Sequence, residues 1–157
     1  MFFNPKRSGG TVQDNLLIKI RELIGSNPGM ELPPQIFKEM EGEFLEYVEE
    51  QSLTARFPIK ESYSNPFGFM QGGMIVAAMD NTLAPLSYLL LPPSITTHVN
   101  TTFIRPVKMA YEFIHVTAFL VERTPMQIHL RAEVKNPGGK LLATCTSSSA
   151  VMRRLKG

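Results

Sequence analysis

Residues 74–91 constrain this chain most, because they are apolar on nearly every side for about five turns of helix. A helix of this kind is enclosed by other structure rather than lying on a surface. Asp80, Asn81 and Pro85 interrupt the stretch, so it lacks the unbroken apolar length of a membrane-spanning helix. The sequence therefore predicts a central helix, starting at about Gly72, that the rest of the chain buries.

Strand-like segments stand on both sides of this helix. Two precede it and four follow it, the latter joined by short turns: 44–48, 53–59, 96–104, 111–122, 127–135 and 140–153. No helix separates the late strands, so no right-handed crossover is needed and the sheet should be mainly antiparallel. The pattern predicts an α+β fold in which an antiparallel sheet wraps around one long helix.

The chain has the size of a single domain, since its 157 residues include 43% hydrophobic side chains, enough to fill one core. Residues 1–10 are small, polar or basic and predict a loose arm. A helix is expected from Asp14, which can cap it, to Gly25 and Asn27-Pro28, which stop it, and a short helical turn is expected over 34–40. We divide the chain into an N-terminal arm and helix, 1–41, and a sheet-and-helix domain, 42–157.

Charge and cysteine content exclude several classes of function. The formal net charge is only +2, without the polybasic block that duplex nucleic-acid binding needs. Cys145 is the only cysteine, so no internal disulfide is possible, and no Cys or His cluster has the spacing of a metal site. The N-terminus also lacks the apolar segment of a secretory signal. We expect a cytoplasmic protein without metal or cofactor that binds neither nucleic acid nor membrane.

The position of Asp80 suggests chemistry. A carboxylate in the most apolar helix of a protein must reach water, pair with a charged or hydrogen-bonding group, or take part in binding or catalysis. Gly72 and Gly73 open the same helix, and its first amides have no intrahelical acceptor and carry partial positive charge. Such amides suit a carbonyl oxygen that becomes negative during acyl transfer.

The spacing of these groups predicts a dimer. Gly73 and Asp80 are seven residues apart in the sequence, so they lie about 10 Å apart along a helix. Attack and oxyanion stabilisation must both occur within about 3 Å of one reacting group. If both elements act, each must therefore come from a different copy of the helix across a two-fold interface. We expect an obligate homo-oligomer, a dimer or a dimer of dimers, with equivalent sites.

One set of motifs carries a family resemblance. The run from Asn65 to Gly73, Asn-Pro-Phe-Gly-Phe-Met-Gln-Gly-Gly, is followed by Asp80, by Thr96 and by a strand that closes on Arg105-Pro106. Over residues 42–153 this set resembles the hotdog-fold thioesterases, specifically the phenylacetate-degradation-type acyl-CoA thioesterases. Family members typically carry histidine where this chain has Gln71.

The resemblance implies a hotdog fold and hydrolysis of an acyl-CoA thioester to free acid and coenzyme A. It implies that Asp80 is the general base or the nucleophile, that the Gly72 amide polarises the carbonyl, and that Asn65 orients the acyl group or water. Thr96, or Thr97 one residue on, would position water near Asp80. By the resemblance, Asp80 and Thr96 come from one subunit, and Asn65 and Gly72 from the other.

Three further residues are expected to contact substrate: Gln71 and Gly73 at the helix start, and Arg105 at the phosphates of coenzyme A. Cys145 lacks a neighbouring base in the sequence and is expected to be a packed thiol. The main alternative is a non-catalytic hotdog protein that binds acyl-CoA or an acyl carrier. A dehydratase or hydratase is the weakest alternative, because it needs a positioned histidine and none lies between Asn65 and Asp80. The acyl group itself stays open.

Overall fold

The computed structural model describes residues 10–25 and 29–152 of the chain. Its helices are α1 (Val12–Ile24), α2 (Gln35–Glu39) and α3 (Gly72–Leu90). Its strands are β1 (Glu43–Val48), β2 (Ser52–Pro58), β3 (Ser94–Phe103), β4 (Phe113–Arg123), β5 (Gln127–Lys135) and β6 (Leu141–Val151). The predicted order of two strands, a long helix and four strands is confirmed. The arm over 1–9, the stop at Asn27-Pro28 and the end of the last strand at Arg153 lie outside the described residues.

The six strands form one sheet in the order β1-β2-β4-β5-β6-β3, and every neighbouring pair is antiparallel. Helix α3 contacts five of the six strands, from β2 to β6, so the sheet wraps around it. Strands β1 and β3 are the two edges. The predicted α+β fold, an antiparallel sheet around a long central helix, is confirmed.

Helix α3 buries residues on almost every turn, as its all-round apolar sequence predicts. Its buried members are Ile75, Ala78, Met79, Thr82, Leu83, Leu86, Ser87, Leu89 and Leu90. In the described part of the chain, no helix has the length and apolar character needed to cross a membrane.

Helix α1 begins earlier than the sequence predicted, and its cap is a different residue. Thr11 is the N-cap: its hydroxyl accepts from the Asp14 amide, and the Asp14 carboxylate accepts in return from the Thr11 backbone. The expectation that Asp14 caps the helix was wrong because Asp14 occupies the third helical position of a capping box. The helix buries Leu16 and Ile20 in the same core as the sheet. The division at residues 41 and 42 stays a prediction.

Gly42 sits where any side chain would meet two aromatic rings. A Cβ built there would lie 2.6 Å from Cε2 of Phe37 and 2.7 Å from Cε1 of Phe57, both fully buried. We expect Gly42→Ala to lower the free energy of unfolding by about 1–3 kcal/mol, the usual cost of overpacking. Urea denaturation of the native protein and the variant measures this difference in the free energy of unfolding. Gly138→Ala is the control, because the atom nearest to its added Cβ is the Asn136 Oδ1 at 3.5 Å, an ordinary contact distance. Equal stability of the two variants would contradict the prediction.

Candidate active site

Asp80 lies on α3 with its side chain half-buried, facing the start of β3. Its Oδ1 accepts a hydrogen bond of 3.2 Å from the Thr96 hydroxyl. No other hydrogen bond reaches the Asp80 carboxylate from the described residues, so Oδ2 is left to bind water or substrate. The arrangement resembles that of an oriented general base.

A β-bulge decides which threonine meets Asp80. Thr96 pairs with Ser149 and His98 with Ser148, so the register shifts between them and Thr97 is the extra residue. The Thr97 hydroxyl donates instead to the Ser148 carbonyl at 3.1 Å. A bulge re-aims side chains in this way. The structure therefore brings Thr96, and not Thr97, to Asp80.

A second contact ties α3 to β3 just beyond this pair. The Ser87 hydroxyl donates to the Ala84 carbonyl at 2.7 Å and lies 2.9 Å from the Ser94 hydroxyl. Both serines are buried. Because a buried hydrogen bond holds its two elements in one relative position, this contact keeps the spacing between Asp80 and Thr96 constant.

Asp80 opens into a large cleft, which we call the Asp80 cleft, with a volume of about 1280 Å³. It lies between helix α1, the segment 29–37 and one face of α3. Its lining residues on α3 are Asp80, Asn81, Ala84, Pro85 and Tyr88, and on α1 they include Leu17, Ile20, Leu23 and Ile24. A candidate base at the wall of a mostly apolar cleft is a typical arrangement of a small-molecule site.

The charge of Asp80 reaches two neighbouring groups. Burial, and secondly the Asp80 carboxylate, raise the pKa of the Tyr88 phenol. Burial is also the largest cause that raises the pKa of the Cys145 thiol, and Asp80 adds to it. Cys145 is only 4% exposed. A thiol held protonated in this way is a poor nucleophile, in agreement with the expected packed thiol.

The start of α3 offers two free amides. Gln71 is the N-cap, and its carbonyl accepts from the amides of Met74 at 2.9 Å and Ile75 at 3.3 Å. The amides of Gly72 and Gly73 have no acceptor among the described residues. A Cβ on Gly73 would meet nothing within 4 Å, and one on Gly72 would lie 3.0 Å from the exposed Phe103 ring. A ligand can therefore approach the Gly73 backbone directly.

Asn65 shapes the loop in front of this helix. Its Oδ1 accepts from the amides of Phe67 at 2.9 Å and Phe69 at 3.1 Å, and its own amide donates to the Phe69 carbonyl at 2.7 Å. The Gln71 amide donates to the Tyr63 carbonyl at 2.7 Å and joins this loop to the helix start. The Nδ2 of Asn65 has no partner in the described part of the chain, so it remains a donor for a ligand.

The predicted site residues therefore form two separate groups within the chain. Asp80 and Thr96 are together, whereas Asn65, Gln71, Gly72 and Gly73 lie at the beginning of α3. Gly72 and Asp80 are eight helical residues apart, or about 12 Å. Arg105 belongs to neither group: it is exposed, just past β3, and its guanidinium donates to the Leu141 carbonyl at 2.8 Å.

Two hydroxyls that the sequence did not single out are buried on the neighbouring strands β3 and β6. Thr101 Oγ1 and Ser147 Oγ have no hydrogen-bond partner within the described residues. Ser147 lies on β6 between Cys145, whose pKa the Asp80 charge raises, and Ser149, which pairs with Thr96. The only sequence signal for this polar surface is the alternation of small residues at 143, 145, 147 and 149.

The three histidines of the chain lie away from the Asp80 cleft in the part of the chain that the structure describes. His98 is exposed, His129 contacts the Ser148 hydroxyl at 2.9 Å, and burial, then Arg56, lowers the pKa of His115. None of the three lines the Asp80 cleft. Among the described residues, no group of three or more His, Cys, Asp or Glu side chains is placed to hold a metal ion.

The chain resembles known proteins in its three-dimensional structure. Neither a family model nor a curated protein matches the sequence. A solved candidate thioesterase related to phenylacetic acid degradation, from Ralstonia eutropha, is 26% identical with a TM-score of 0.73, and the match covers 85% of this chain and 98% of that one.

Two more distant structures share the same fold. The Escherichia coli PaaI protein from the phenylacetic acid degradation operon is 15% identical, with a TM-score of 0.67, over 73% of this chain and 86% of that one. A variant of a thioesterase from Pseudomonas aeruginosa is 17% identical, with a TM-score of 0.70, over 92% of this chain and 95% of that one. The chain is thus a hotdog-fold protein, and these three solved structures are a candidate thioesterase, a protein of phenylacetic acid degradation and a thioesterase variant.

Proposed function

We propose that this protein is an acyl-CoA thioesterase that acts as a homo-oligomer, a dimer or a dimer of dimers. The observation that carries the proposal is the Asp80 carboxylate, which is oriented by Thr96 and faces a mostly apolar cleft. The chain also shares its fold with the Ralstonia eutropha candidate thioesterase. The proposed reaction consumes water and an acyl-CoA thioester, and none of its steps calls for a metal or cofactor.

Asp80 acts as the general base in this proposal. Thr96 holds Oδ1, so Oδ2 takes a proton from water while the water oxygen bonds to the thioester carbonyl carbon. The tetrahedral intermediate then collapses, the C–S bond breaks, and the thiolate of coenzyme A leaves and recovers the proton. Because a thiol has a pKa of about 8.5, its thiolate leaves without a strong general acid. The absence of histidine beside Asp80 is compatible with this step.

The oxyanion is stabilised from the second subunit. The amides of Gly72 and Gly73 are about 10–12 Å from Asp80 along α3, and Asn65 lies in the loop before that helix. These groups therefore cannot serve the carbonyl held at Asp80 of the same chain. A two-fold arrangement of α3 helices places the helix start of one protomer opposite Asp80 of the other. Gln71 contacts the substrate at the same helix start.

Strand β3 is the edge through which we propose the subunits to join. It is ten residues long and lies at one end of the sheet. Ile95 and Phe103 on it are exposed, as is Ile104 just beyond. A long edge strand with exposed apolar residues is normally paired or covered. Pairing β3 with its copy brings Thr96 and Asp80 towards the interface. It also brings the Phe103 ring there, which lies next to Gly72.

Release of free thiol from a panel of acyl-CoA thioesters tests the proposed activity. We expect turnover of at least one member by the purified oligomer. Binding without turnover would instead favour the non-catalytic acyl-CoA-binding alternative, which Gln71 supports because the helix start has no imidazole. Arg105 is tested in the same assay: if it contacts the phosphates of coenzyme A, Arg105→Ala raises KM more than it lowers kcat.

Mixed oligomers test whether each site uses two subunits. Asp80→Asn removes the base and Gly72→Pro removes a helix-start amide, so each variant alone is expected to be nearly inactive. In a heterodimer of the two, one site carries both lesions and the other carries neither. We expect mixing after subunit exchange to restore about half of the native activity per heterodimer, as measured by thiol release. Mixtures that stay as inactive as the separate variants would contradict a shared site.

A further inference from the structure

We infer that the Asp80 cleft holds the acyl chain of the substrate, and that this chain is long or bulky and carries no charge. The inference rests on the proposed thioesterase function. It also assigns a role in substrate selection to helix α1 and the segment 29–37, which precede the sheet and the central helix.

The cleft begins at the candidate base and continues along α3. Asp80, Ala84 and Tyr88 are spaced by four residues, so they share one face of the helix, and all three line the cleft. From Asp80 to Tyr88 this face is about 12 Å long. It runs away from the Gly72 end of the helix. A carbonyl held at Asp80 can therefore extend its acyl chain towards Tyr88.

The opposite wall is apolar and incompletely covered. Leu23 on α1 is 44% exposed, and Met30 and Ile36 in the segment 29–37 are 36% and 45% exposed. All three line the cleft. Single exposed apolar side chains are common on protein surfaces, but here they converge on one cleft that already contains Asp80. An acyl chain placed between them and α3 removes this surface from water, which is favourable.

The charge and the size of the cleft limit which acyl groups it can accept. Among the described residues that line the cleft, the charged side chains apart from Asp80 are Glu22 and Glu31, and none of these lining residues is Lys or Arg. Glu31 is paired with Lys38, so Asp80 and Glu22 carry the remaining negative charge. This charge disfavours the phosphates of coenzyme A and an acyl chain that ends in a carboxylate. The cleft volume of about 1280 Å³ exceeds the range of roughly 300–1,000 Å³ that is usual for small-molecule sites. Both properties favour a large neutral acyl group over acetyl or a dicarboxylic acyl group.

The test uses acetyl-, butyryl-, hexanoyl- and octanoyl-CoA, together with octanedioyl-CoA, which has the length of octanoyl but a terminal carboxylate. We expect kcat/KM to rise about fourfold for each added methylene group, and octanedioyl-CoA to be poorer than octanoyl-CoA by at least about tenfold. Leu23→Gln should lower the ratio of octanoyl to butyryl kcat/KM by about tenfold.

Ile18→Gln is the matched control, because Ile18 is on the same helix, is 54% exposed and does not line the cleft. Ile18→Gln should leave the ratio of octanoyl-CoA to butyryl-CoA kcat/KM unchanged. Since Leu23 and Ile18 are both already exposed, both variants should fold, and circular dichroism checks this. Equal effects of the two variants, or kcat/KM values independent of chain length, would overturn the inference while leaving hydrolysis intact.

Binding measurements separate this inference from the proposed activity. S-Ethyl-CoA and S-octyl-CoA are thioethers that cannot be hydrolysed, so calorimetry with the native protein reports binding alone. Tighter binding of S-octyl-CoA that Leu23→Gln weakens and Ile18→Gln does not would support the cleft assignment, even if no thioester is turned over. Equal affinity for the two thioethers would overturn it.

Discussion

Replacing Asp80 with asparagine is expected to lower kcat for thioester hydrolysis by at least about 100-fold, the scale of lost general-base catalysis. Asparagine has almost the same shape, and its Oδ1 can still accept from the Thr96 hydroxyl, which now lies 3.2 Å from the Asp80 Oδ1. It cannot take a proton from water. We therefore expect the variant to fold and to bind acyl-CoA, and thiol release at saturating substrate measures the loss.

A surface carboxylate provides the control for Asp80→Asn. Glu61 is exposed on the single-turn helix after β2, so Glu61→Gln removes the same charge away from the cleft and should leave kcat within about twofold. An independent readout is the Tyr88 phenol. The Asp80 charge is the second cause that raises its pKa, so Asp80→Asn should lower that pKa in an absorbance titration. Near-native turnover in Asp80→Asn would remove this residue from the mechanism.

Replacing Gly72 with proline is expected to lower kcat by about 100- to 1,000-fold, the typical effect of removing one oxyanion-hole donor. Gly72 is the first helical residue of α3, where proline is well tolerated because the amide has no intrahelical acceptor. Gln71, which precedes it, has φ −58° and ψ 134°, a conformation that suits the residue before a proline. The variant should thus lose the donor and keep the helix.

Gly72→Ala separates the lost amide from the added bulk. Both variants place a Cβ near the Phe103 ring, 3.0 Å from Cζ, but only proline removes the N–H group. We expect alanine to cost less than about tenfold in kcat, and thermal unfolding to confirm that both variants fold. Equal losses in the two variants would mean that crowding against Phe103, rather than the amide, causes the effect.

The fold could be predicted from local patterns. The 3.6-residue and two-residue periods depend only on which faces are buried, so helix α3 and the alternating strand β5 were readable within a residue or two. Short connections between the late strands then allowed only an antiparallel sheet. The cap of α1 was misassigned because Thr11 and Asp14 bind each other's backbone, and either one alone has the character of an N-cap.

The elements of the candidate site were also readable, since Asp80 in an apolar helix and glycines at its start are properties of the chain itself. The family resemblance favoured Thr96 over Thr97, but the local pattern of residues did not decide between them. The choice depends on a bulge in β3, whose position follows from pairing with β6, more than 40 residues away in sequence. A shift by one residue exchanges the two faces of a strand, so local sequence carries no information about it.

The Asp80 cleft is the clearest product of tertiary structure. Its walls come from α1, from the segment 29–37 and from α3, and each of these is an ordinary amphipathic or apolar segment when read alone. Composition and periodicity identify which side chains avoid water, and so they predict helices, strands and a core. Which surfaces stay apart, and leave room beside a carboxylate for an acyl chain, depends on how those elements pack against one another in three dimensions.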